Sequence, residues 1–164
     1  MASPPVTPVS LGDGVLEIGH VGTEIDVSCA VNNAKITVSK DQADSTTKLC
    51  GTVRQGKITY TYALTGNMDA DVGDPDGFFA LSQAEPGTEM AFLFHPHIGT
   101  TTSAKGTLII DPLDFGADEM GADLTSDFEF AIVGKPDYDY LTPAPCHAEA
   151  RDDEDEDVDE DEVA

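Results

Sequence analysis

The chain has 164 residues, enough for one domain with arms, and 40% of them are hydrophobic, enough for a core. Eight basic residues stand against 32 acidic ones, a formal net charge of −24, so the chain is a poor candidate to grip nucleic acid, whose phosphates call for Lys and Arg. No apolar run reaches the roughly 18 residues of a membrane span, and no residue set with an enzyme signature stands out, so catalysis is not expected.

Residues 1–13 carry Pro4, Pro5 and Pro8 and offer little to bury, so they read as an extended N-terminal arm. They lack the basic and apolar regions of a secretory signal. Cys29, Cys50 and Cys146 are three in number and without metal spacing, which fits reduced thiols in a cytosolic folding environment. Residues 14–18 form a short strand, and 19–22 a turn. Residues 24–31 alternate, with Ile25, Val27 and Cys29 on one face. Asn32 and Asn33 mark a turn or bulge, since Asn tolerates left-handed backbone. Residues 35–39 resume as strand, with Ile36 and Val38 facing inward.

Residues 40–55 are polar and short of apolar anchors. With Lys57 just beyond, this stretch holds Lys40, Lys48 and Arg54, half of the basic residues in the chain. A loop of this length is functional or disordered. Positive charge gathered in so acidic a chain favours a contact loop that meets an acidic surface on a neighbouring subunit.

Residues 57–67 give the strongest strand pattern, with Ile58, Tyr60, Tyr62 and Leu64 opposite a small polar face of Thr and Ala. Asp69, Asp71, Asp74 and Asp76 invite a calcium reading, but their spacing is not that of an EF-hand. Helix initiation explains them better: Asp74 as N-cap, Pro75 as first helical residue, and Phe78 with Leu81 facing a sheet. The helix ends near Ala84, before Pro86 and Gly87. Residues 88–95 return to strand, with Met90, Phe92 and Phe94 on one face. His95 and His97 flank Pro96 and read as a strand end and turn rather than a metal pair.

Residues 104–134 organise the chain. Thr107, Leu108, Ile109 and Ile110 form a strand stopped by Pro112. Residues 111–127 are turn-rich and acidic. Phe128, Phe130 and Ile132 then alternate with Asp127, Glu129 and Ala131, the mark of a strand with one buried face. Residues 135–145 read as a linker-like exit, with Tyr138 and Tyr140 available to a neighbouring surface. Residues 152–162 hold ten acids and no base, a tail expected to be disordered by self-repulsion. The remaining residues then carry −14 of the charge.

The order of these features resembles the major tail protein of long-tailed bacteriophages that infect actinobacteria. Residues 48–52, 60–66, 77–81, 106–116 and 125–134 carry the resemblance. It implies a mainly β fold, a β-sandwich or split barrel with one short flanking helix, over residues 14–136, with residues 137–164 as a C-terminal extension. It further implies hexameric rings of self-associated subunits stacked into a tail tube that conducts DNA without binding it. A tape measure protein and a tail terminator are implied as partners, the virion tail as location, and the host cytoplasm as site of assembly. No catalytic, cofactor or metal residue is implied. Lys40, Lys48, Arg54 and Lys57 become the candidate inter-ring contacts. The competing readings are another virion ring or decoration protein, a calcium-dependent module on residues 69–76, and a hydrolase using scattered Asp and His.

Overall fold

The structure, a computed structural model, describes residues 8, 10–100 and 102–140. In chain order the elements are β1 (Val15–His20), β2 (Thr23–Asp26), β3 (Val31–Gln42), β4 (Thr46–Thr47), β5 (Val53–Arg54), β6 (Ile58–Asp69), α1 (Phe78–Ala84), β7 (Glu89–His95), β8 (Thr102–Ile109), β9 (Thr125–Ile132) and β10 (Asp137–Tyr140). Among the described residues eight strands form one antiparallel sheet in the order β2-β1-β7-β8-β9-β6-β3, with β10 also on β8, while β4 and β5 pair only with each other.

The alternation of β9 places Ser126, Phe128, Phe130 and Ile132 in the interior and their neighbours outside. Phe130 lies edge-on to Phe78 of α1 at 6.0 Å and stacks on Phe128 at 5.2 Å. Leu64 and Met68 of β6, Leu16 and Ile18 of β1, and Met90 and Phe92 of β7 close the same core. Burying each such side chain contributes about 1.5–3 kcal/mol.

The sheet parts where β8 meets β9. The two strands share one register pair, Leu108 with Ile132, and a bond from Val133 N to Thr107 O at 2.8 Å. The chain then bends through Gly134 and Pro136 and returns to β8 as β10, with Tyr138 opposite Ala104. One half, β9-β6-β3, therefore faces the other, β2-β1-β7-β8-β10, across a shared core. This is the mainly β, split-barrel architecture with one flanking helix.

Several local expectations are revised. The second strand ends at Asp26, because Asp26 Oδ1 accepts from Ser28 N at 2.9 Å and turns the chain. Val27 is buried, but Cys29 lies exposed in that turn. The helix begins at Phe78 with Gly77 as N-cap and no side-chain cap. Asp74 is spent on the preceding turn, accepting from Asp76 N at 3.0 Å and from Gly77 N at 3.2 Å. The fully buried helical positions are Phe78 and Ser82, with Leu81 only partly buried. Residues 137–140 are a strand rather than a linker. The Asn32–Asn33 irregularity is a bulge within a continuous β3. Most of the 1–13 arm, the 141–164 extension and Cys146 lie outside the described residues.

Candidate assembly surfaces

β3 and β6 pair over eleven registers, from Val31 with Met68 to Gln42 with Ile58. Their inner ends belong to the core, whereas their outer ends leave it. Leu64 is fully buried and Tyr62 partly so, yet Tyr60 is 55% exposed on the same face of the strand. Val38, expected to face inward, is 53% exposed opposite Tyr62. Six residues of strand beyond Leu64 amount to roughly 20 Å of projection. The core face of the sheet thus continues past the core, and among the described residues Val38, Ile58 and Tyr60 stay about half exposed on it. Among the described residues β3 is also an edge, a row of twelve residues with one unpaired side.

The polar stretch beyond is ordered as the end of the same arm. Ala43 N donates to Lys57 O at 3.0 Å, and the backbones pass so closely that a Cβ on Gly56 would lie 1.7 Å from the Ala43 carbonyl oxygen. β4 and β5 follow, joined by a turn in which Lys48 N donates to Thr52 O at 2.9 Å and Gly51 N to Lys48 O at 2.8 Å. Lys40 stands opposite Tyr60, Lys57 at the base of the tip, Arg54 opposite Thr46, and Lys48 in the turn. All four are exposed, and none makes an ion pair among the described residues. The fold therefore gathers them on one projecting arm. In that turn the Thr52 hydroxyl, then its backbone N–H, hold the exposed Cys50 thiol below its ordinary pKa.

The acidic stretch after β8 forms the second distinctive surface. Leu113 anchors it in the core. Its carbonyl accepts from Gln83 Nε2 at 2.7 Å, and Asp114 N donates to the buried Ser126 Oγ at 2.9 Å. Beyond these ties the loop stands away from β9 and encloses an open cleft of about 720 Å³ with Asp114, Asp118, Glu119, Asp123 and Asp127 around it. Phe115, 76% exposed, and the fully exposed Met120 stand among these acids.

Several other polar groups have local structural partners. Asp71 and Asp69 accept from Gly73 N at 3.3 Å and Asn32 Nδ2 at 3.0 Å. His95 Nε2 donates to Thr100 O at 2.9 Å, and His97 Nδ1 accepts from Gly99 N at 2.9 Å. Among the described residues no group of three or more His, Cys, Asp or Glu is arranged to hold a metal. An ion pair with Asp139 raises the pKa of Lys105 and ties β10 to β8. Tyr138 lies over a crevice shared with Ile36 and Phe94, and burial raises its phenol pKa. Sequence reasoning missed the uncovered half of the β3–β6 face. Its one available signal was that the alternation of residues 58–64 ran on into a polar loop with no partner for its outer end.

By sequence the chain matches no protein-family model and no curated protein. By structure it is similar to a chain in the tail of the empty gene transfer agent particle, a structure with C6 symmetry. There the TM-score is 0.55 at 14% identity over 77% of this chain and 96% of that one. A chain in the native gene transfer agent virion matches with a TM-score of 0.52, also at 14% identity, over 76% of this chain and 95% of that one. The likeness establishes a shared fold along nearly the whole of both relatives.

Proposed function

We propose that this protein is a structural subunit of a phage-type tail tube. Six copies form a ring, rings stack into a tube, and the genome passes through the bore. The observation that carries this reading is the fold shared with a chain of a C6-symmetric tail, in a protein whose β3–β6 arm extends past the core with Val38, Ile58 and Tyr60 exposed among the described residues. Strand edges and apolar faces of this kind are liabilities in a solitary protein and assets in one completed by its neighbours.

The charge agrees with transit. A bore lined by acidic subunits repels the DNA backbone, so the polymer slides without adhering. In this reading the protein has no catalytic role, and the virion tail is its location after assembly in the host cytoplasm. A tape measure protein would occupy the growing bore and a terminator would cap the tube. The finer assignment is to tails of the long-tailed actinobacteriophage kind.

Negative-stain microscopy of the concentrated protein tests the proposal. Filaments of stacked rings are expected. Isolated rings would point instead to a terminator or distal tail ring, and single particles would remove the reading.

A further inference from the structure

Two surfaces of this molecule match each other in charge and in apolar content. The arm over residues 40–57 carries four bases against two acids. At its tip Leu49 is fully exposed and Val53 half exposed beside Lys48 and Arg54. The loop over residues 111–127 carries six acids and no base, and it presents Phe115 and Met120 to solvent. Two-stranded hairpins are marginal in water by themselves, yet among the described residues β4 and β5 pair with nothing else.

The two surfaces cannot meet within one molecule. The arm departs from β6 at Ile58, whereas the acidic loop rejoins β6 at its other end, where Asp69 pairs with Thr125 and Asn67 with Asp127. Eleven residue steps of strand separate those ends by roughly 37 Å. Complementary patches at opposite ends of one strand make a head-to-tail contact, which propagates as an open-ended stack when rotation does not close it.

We propose that the arm of one copy seats on the acidic loop of a second copy, with Lys48 and Arg54 facing Asp118 and Glu119 around an apolar contact of Leu49 and Val53 with Phe115 and Met120. The pairing rests on the tail-tube reading and names the surface on which its inter-ring arm lands. Uncovered apolar residues supply affinity, and the opposed charges set register and exclude arm-to-arm contact.

A charge swap on the full chain tests it. Lys48→Glu with Arg54→Glu, or Asp118→Lys with Glu119→Lys, should raise the protein concentration at which tubes form by about tenfold or more, because the loss recurs at every subunit of a ring. All four changes together should restore tubes. Thermal melting of the dilute protein should hardly move, since the four side chains are exposed. A second measurement does not depend on those variants: Met120→Cys in a chain with Cys29→Ser and Cys146→Ser, treated with a mild added oxidant such as copper–phenanthroline to accept the two electrons, should form intermolecular disulfides with Cys50 in tubes and not in dilute protein. Wild-type tubes with no rescue, with unchanged growth of either double variant, or with no such cross-link would overturn the pairing and leave the tube reading standing. Wild-type protein that makes no tubes would overturn both.

Discussion

Gly66 shows how closely single residues are fitted in this fold. A Cβ on Gly66 would lie 2.0 Å from the Asn33 carbonyl oxygen beside the β3 bulge and 2.7 Å from the Phe128 ring of β9. Gly66→Ala should therefore cost about 1–3 kcal/mol by overpacking, read as a lower denaturant midpoint. Phe130→Ala opens the centre of the core and should cost about 3–5 kcal/mol in the same measurement. Ser28 joins β1 to the β2 turn: its hydroxyl accepts from Leu16 N at 2.8 Å and donates to Asp26. These bonds, the Ser28 side chain first and its backbone N–H second, hold the Asp26 carboxyl below its ordinary pKa. A depressed carboxylate adds stability above its unfolded pKa, and that stability is lost as pH falls through the folded value, here below about pH 4. Because Asp26 is largely exposed, the contribution is small. Ser28→Ala should return Asp26 toward its ordinary titration by NMR, and should cost about 1–2 kcal/mol through the partner lost at Leu16 N.

At the scale of elements, the parts with a strict period were legible in the sequence. β7, β9 and the inner half of β6 alternate because one face is buried, so residue type and burial coincide. The outer half of β6 carries the same alternation without the burial, since Ile58 and Tyr60 continue a face that the described residues leave exposed. One sequence cannot distinguish a face buried by its own fold from one left for a partner. The helix start was misplaced because Asp74 can cap either a helix or a turn, and the choice belongs to the backbone of residues 74–77. β10 was hidden because Tyr138 and Tyr140 follow Pro136 in a short polar run, and its pairing depends on the distant β8. The four bases of the arm were legible as a cluster from composition; the acidic loop proposed to receive them was not legible as their counterpart, because that pairing needs both ends of β6 in space. The acidic loop is held by few ties, so Gln83→Ala, which removes the donor to the Leu113 carbonyl, should speed amide exchange across residues 111–124 by about tenfold if the lost bond is worth about 1.4 kcal/mol. The core strands should keep their protection.

At the scale of the whole molecule, charge and unfinished surface pull in opposite directions. A chain carrying −24 repels its copies at long range, and contact must come from local patches within a Debye length of about 8 Å at physiological salt. Residues 152–162 contribute ten of those negative charges and only one apolar residue, Val158, so a chain lacking residues 151–164 should assemble at least as readily as the full chain, measured by turbidity and tube length. Loss of assembly in that truncation would assign the segment a contact of its own. The central claim is that copies of this chain complete one another as stacked six-fold rings around an electronegative bore. Electron cryomicroscopy of the concentrated protein tests it most directly: filaments with C6 symmetry and carboxylates facing the channel are expected, whereas a monodisperse single particle, or a bore lined by Lys and Arg, would contradict it.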